Sequence, residues 1–240
     1  MKSKIFSIAV AILVVSLLSP KSIANDSAAT MSKQEGHTVS LVLKFTKKQK
    51  NSLEQALSFL DYGPNGYATG FLVGDGLVMT AYHVVSGDLS ASKKAQLGFA
   101  AKDLLEVKVN VNGCQASVIK IDRDADLALL RVCGSQKQAK APSFQMSIGK
   151  DEKLVLIARP HGDKMVKRGN FSGPYMFRGL QYWSASIDVR DGYSGSPVYN
   201  DRAELVGVFS GYDWAKKLAL ISPGERVQKL LEDYNSAPKP

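Results

Sequence analysis

A chain of 240 residues, 45% of them apolar and 22% charged, can build one large globular domain or two fused halves, which excludes an elaborate multidomain assembly. The formal net charge of +9 raises the possibility of an anionic partner. Its basic residues, however, stand in short scattered groups (Lys47, Lys48 and Lys50; Lys93 and Lys94; Lys167 and Arg168; Lys216 and Lys217) with no interleaved aromatics, so a nucleic-acid module is not expected.

In chain order, Lys2 and Lys4 precede an apolar run over Ile5–Leu18, and Ser22-Ile23-Ala24 supplies small residues at a cleavage site. This pattern predicts a signal peptide over residues 1–24. The run falls short of the roughly 20 residues a membrane anchor needs, and no Cys follows it to carry a lipid. No stable anchor is therefore expected after cleavage, and the location is secreted or periplasmic. Loss of Lys2, Lys4 and Lys21 takes the charge from +9 to +6.

Residues 25–37 are small and polar and predict a flexible mature N-terminus; residues 38–240 hold the folded domain. Short β-type runs then alternate with Gly, Asn and Asp turns: Val39–Phe45, Tyr67–Val73, Gly76–Thr80, Leu104–Val111, Ala116–Ile121, Leu127–Val132, Leu154–Ala158, Gln181–Val189, Ser196–Tyr199 and Leu205–Phe209. This punctuation predicts an all-β barrel or sandwich. Ser52–Leu60 reads as a short helical insertion. Ala116–Ile121 and Leu127–Val132 flank the turn Asp122–Ala125 as a hairpin that sets Cys114 opposite Cys133 at its open end. Export makes that pairing chemically allowed, and a disulfide is expected. The polar stretch Gly134–Phe144 reads as a linker between two halves. Near the C-terminus, Ser222-Pro223-Gly224-Glu225 predicts a capped helix start, followed by one apolar face of Val227, Leu230, Leu231 and Tyr234.

Three segments carry chemistry: Thr69–Val73 with Val78–Val85, Asp124–Leu130, and Asp191–Val198. A serine hydroxyl needs an adjacent base, histidine suits that role near neutral pH, and a carboxylate must hold the imidazole tautomer. Glycines beside the serine let the backbone turn tightly and aim N–H groups at a developing oxyanion. Among the three histidines, His37, His83 and His161, none follows Ser194, so the α/β-hydrolase order is excluded. The order His83, Asp126, Ser194 matches the chymotrypsin type. Asp122 and Asp124 lie nearby, but only Asp126 immediately precedes the Leu-Ala-Leu-Leu strand. No paired-histidine motif suggests zinc, and neither cysteine sits in a Gly-rich turn, so neither a metal site nor a cofactor is expected.

The blocks Thr80-Ala81-Tyr82-His83, Asp126-Leu127-Ala128-Leu129-Leu130 and Gly192-Tyr193-Ser194-Gly195-Ser196-Pro197-Val198 resemble the signature of trypsin-like serine peptidases, with the nearest likeness to compact bacterial enzymes of the glutamyl-endopeptidase kind. The resemblance spans about Val39 to Leu231. It implies two six-stranded antiparallel β-barrels and a C-terminal α-helix. Barrel one covers about 38–133, the linker 134–145, and barrel two with its helix 146–234. His83 and Asp126 would come from the first barrel and Ser194 from the second. It also implies an oxyanion hole formed by the N–H groups of Gly192 and Ser194. Substrate would pair with the strand through Phe209, Ser210 and Gly211. The activity implied is that of a serine endopeptidase acting on proteins or peptides; the rival is a catalytically silent fold that binds protein. One departure stands out: Tyr193 occupies the position where trypsin carries the Asp that pairs with its liberated N-terminus. Activity is therefore expected not to depend on a particular mature N-terminus. Asp188, six residues before Ser194, stands at the offset of trypsin's pocket-floor Asp and would favour Arg or Lys at the cleavage site. It also fits as the outward member of an alternating strand. His161, in Arg159-Pro160-His161-Gly162, is expected to cap a loop rather than line the cleft.

Overall fold

A computed structural model describes residues 20–49, 65–133, 140–145 and 147–237. The alternation Val39, Leu41, Leu43, Phe45 forms β1 (Thr38–Lys47), with these four side chains buried. It pairs on one side with β2 (Asn65–Gly74) and on the other with β4 (Leu105–Val111), so that Leu41 meets both Ala68 and Val111. With β3 (Leu77–Ala81), β5 (Cys114–Asp122) and β6 (Leu127–Val132) these strands close a barrel in the order β1-β2-β3-β6-β5-β4. A second barrel closes in the order β10-β11-β12-β9-β8-β7. Its strands are β7 (Lys153–Ala158), β8 (Met165–Phe177), β9 (Leu180–Ala185), β10 (Pro197–Asn200), β11 (Leu205–Asp213) and β12 (Leu218–Pro223). The double antiparallel barrel is the one the sequence implies.

Three cores result, and the strands between the barrels feed two of them. Leu130 and Val132 of β6 point into barrel one, while Leu127 and Leu129 point into the layer between the barrels. In β7, Leu154, Leu156 and Ala158 fill barrel two, and Val155 and Ile157 face the same middle layer. Burial on both faces is why these strands read as continuous apolar runs instead of alternating ones. The C-terminal helix (Gly224–Asn235) seals the middle layer with Val227, Leu230 and Leu231.

Several expectations change. Residues 25–37 are not a flexible lead-in, because Pro20–His37 forms a helix, α1. Its C-terminal end is docked: Gln34 is buried, Met31 packs on the middle layer, and Arg159 Nη2 donates to the Glu35 carbonyl at 3.2 Å. The last helix does not use Ser222 as its cap. Ser222 lies in β12, opposite Val208, with its hydroxyl hydrogen-bonded to Ser210 and to the carbonyl of Ala125, so Pro223 stands at the helix start. β8 and β12 were not anticipated. β8 is largely solvent-facing and carries Gly and Pro, and β12 is apolar from Leu218 to Ile221 and buried without alternation. β9 stops at Ala185 instead of Val189, although Ile187 and Val189 remain buried. The expected helix over Ser52–Leu60 and most of the linker lie outside the described residues.

The predicted hairpin is β5–β6, and Cys114 and Cys133 form a disulfide across its open end, with Cα atoms 5.9 Å apart. Closing a loop of this size stabilises by about 3 kcal/mol in the chain-entropy model.

Candidate active site

The β3–β6 ladder sets the candidate acid and base beside each other. It ends at Ala81 paired with Leu127, and the Tyr82 N–H continues it by donating to the Asp126 carbonyl at 2.9 Å. His83 follows in the short helix α2 (Tyr82–Ser86). Its backbone N–H donates to Asp126 Oδ1, and its Nδ1 lies 2.8 Å from Asp126 Oδ2. An ionised carboxylate only accepts, so this contact holds the proton on Nδ1 and leaves Nε2 free to accept another. Asp126 is nine-tenths buried and adopts φ 51°, a conformation Asp tolerates better than most residues. Its neighbours are committed elsewhere. Asp122 caps the turn through the Ala125 N–H and pairs with Arg226 at 2.7 Å, and Asp124 is exposed.

Ser194 stands in the loop between β9 and β10. Gly192 and Gly195 flank it with φ of 88° and 84°. A Cβ on Gly195 would lie 2.1 Å from Thr80 Oγ1 and 2.2 Å from the Thr69 carbonyl, so only glycine fits there. The Gly195 N–H donates to the Phe209 carbonyl, and the Ser194 carbonyl accepts from the Thr69 N–H. Among the described residues, the N–H groups of Gly192 and Ser194 donate to no other group. That is the condition for two donors to converge on a developing oxyanion.

His83, Gly192 and Ser194 open onto one cavity of about 690 Å³. Phe209, Ser210 and Gly211 line it too, as does Val189. Asp188 does not: its side chain is 74% exposed and pairs with Lys167 at 3.4 Å, because Ile187 and Val189 take the inward positions of the alternation. The carboxylates that border the cavity are Asp88 and Asp191, and Asp191 pairs across the mouth with Lys93 at 3.1 Å. His161 is drawn into the cavity wall, against expectation. It takes φ 54° in a 3-10 turn (Pro160–Gly162), with its ring 3.8 Å from that of Tyr67, centroid to centroid. No feature of its sequence neighbourhood signals Tyr67, which lies more than ninety positions away. Among the described residues, no group of three or more His, Cys, Asp or Glu converges as metal ligands do.

A sequence profile of the trypsin-like peptidase domain matches residues 68–208, a span that contains His83, Asp126 and Ser194. The chain belongs to the trypsin-like peptidase family. The Rv3671c protease of M. tuberculosis in its active form has a TM-score of 0.60 at 18% identity, covering 100% of this chain and 96% of that one. An inactive form of the same protease has a TM-score of 0.54 at 17% identity, covering 90% of this chain and 95% of that one. At such identities the likeness is one of fold. No curated protein matches this trypsin-like chain in sequence.

Proposed function

We propose that the protein is an exported serine endopeptidase that hydrolyses peptide bonds through Ser194, His83 and Asp126. The observation that carries this reading is the Asp126-oriented His83 opening onto the same cavity as Ser194 and the uncommitted N–H groups of Gly192 and Ser194. In the proposed sequence, Ser194 Oγ attacks the peptide carbonyl while His83 Nε2 takes its proton, and the oxyanion is held by the two N–H groups. The imidazolium, stabilised by Asp126, returns that proton to the leaving amine. An acyl-enzyme remains, and water activated by His83 releases it. No cofactor enters this scheme. The substrate backbone lies along β11 beyond Phe209, where the ladder to β12 is interrupted by a register shift between Phe209 and Gly211.

The substrate class is protein or peptide. With Asp188 outside the cavity, a preference for Arg or Lys has no carboxylate at that position to rest on. Export to a periplasm or the medium is supported by the N-terminal pattern and by the disulfide, which persists in oxidising compartments. A fluorophosphonate should label Ser194, and a peptide library read by mass spectrometry should show cleavage. An unlabelled, folded protein that binds peptides without cutting them would instead identify a silent binding module. N-terminal sequencing of the exported protein tests cleavage after Ala24.

A further inference from the structure

Thr69 is fully buried in β2 of the first barrel, yet its hydrogen bonds reach the nucleophile loop of the second. Its backbone N–H donates to the Ser194 carbonyl at 2.9 Å, and its hydroxyl donates to the Gly192 carbonyl at 2.9 Å. The carbonyls of both residues assigned to the oxyanion hole are thus held by this single residue. The hydroxyl has one proton, and its direction is set from behind. The Arg159 N–H donates to Thr69 Oγ1 at 3.0 Å, which leaves Gly192 as the acceptor for the hydroxyl proton. The Thr69 carbonyl in turn accepts from Thr80 Oγ1 at 2.8 Å, so the anchor is itself fixed within barrel one.

Gly192 needs such an anchor. At φ 88° glycine has wide conformational freedom, so unless the chain that follows it is held, the segment Gly192–Ser194 can shift and carry both N–H groups away from the reacting carbonyl. Pro160 closes one side, 2.9 Å from where a Cβ on Gly192 would stand, but packing alone does not specify which way a peptide plane faces. The Gly192 and Ser194 carbonyls belong to the peptides that follow those residues, and their bonds to Thr69 hold this stretch of backbone against barrel one. We infer that Thr69 is a positioning residue for the oxyanion hole, and that its hydroxyl fixes the Gly192–Tyr193 peptide and with it the segment from which the Gly192 and Ser194 N–H groups project. The inference rests on the peptidase reading above.

The decisive comparison is Thr69→Ser against Thr69→Ala, which differ only by the hydroxyl, with kcat counted per fluorophosphonate-titrated Ser194. Outright removal of one oxyanion donor costs about 10²–10³ in kcat. Loss of an anchor should therefore lower kcat in Thr69→Ala by about 10- to 100-fold relative to Thr69→Ser, at nearly unchanged KM. A peptide boronic acid, which mimics the tetrahedral species, should lose affinity for Thr69→Ala in parallel, whereas an uncleaved peptide bound to the same variants on a Ser194→Ala background should not. Equal kcat per titrated site in the two variants, or equal loss of both ligands, would overturn the role of Thr69 and leave the peptidase reading standing. A wild-type protein that neither takes the label nor cleaves peptide would overturn both.

Discussion

His83 and Asp126 both belong to the first barrel, and the bonds that join them continue the β3–β6 ladder past Ala81 and Leu127. Ser194 sits on an irregular loop of the second barrel, whose conformation depends on two positive-φ glycines and on Thr69 of the first. The proposed acid and base are thus placed by local register, while the proposed nucleophile and oxyanion hole are placed by the contact between barrels. A perturbation of that contact should reduce turnover while leaving the His83–Asp126 pair intact, and a perturbation within barrel one should reduce it by breaking that pair while leaving the loop around Ser194 in place.

The sharpest break in the comparison is Ser194→Ala, expected to lower kcat by roughly 10⁶ by analogy with subtilisin triad variants. Circular dichroism and the thermal midpoint should be unchanged, since Ser194 leaves its backbone contacts in place. Within barrel one, Asp126→Asn should cost about 10⁴ in kcat, the size seen when a triad carboxylate becomes an amide and the imidazole takes the wrong tautomer; retention of wild-type turnover would remove Asp126 from the site. Gly195→Ala attacks the contact itself. A Cβ near 2 Å from Thr80 Oγ1 and from the Thr69 carbonyl cannot be accommodated without moving the loop, so stability should fall by about 3 kcal/mol or more, measured by urea titration. Replacing Cys114 and Cys133 by Ser should destabilise by about 3 kcal/mol and leave kcat within a few-fold, because the bridge lies at the far end of β5–β6 from Asp126. The smallest effect belongs to Glu35→Ala, which removes a partly exposed pair with Lys164 at 2.8 Å and should cost less than about 1 kcal/mol. Proteins beginning at Asn25 and a few residues later should be equally active, since Tyr193 offers no carboxylate for a new N-terminus.

Much of the candidate site is legible in the sequence because each piece carries a local signature. His83 follows a strand, Asp126 opens one, and Ser194 sits between glycines; their chain order then narrows the chemistry. The disulfide was legible because hairpin register is local. Asp188 shows the limit of reading by offset. Distance along the chain to Ser194 says nothing about the side of the wall, and the inward positions of Ile187 and Val189 place Asp188 outside. β12 illustrates a second limit, since a strand buried on both faces loses the alternation that would announce it.

The residues alone therefore determined the all-β class, the hairpin bridge, the three candidate reactive side chains and the apolar face of the last helix, all of them properties of short-range pattern. Only the tertiary structure decided that β6 and β7 share a core between the barrels, that His161 meets Tyr67 in the cleft wall, and that Thr69 holds both carbonyls of the nucleophile loop. The first depends on how the two barrels close on each other, and the other two join segments about a hundred residues apart at a contact of a few ångströms; no periodicity within any one segment encodes them.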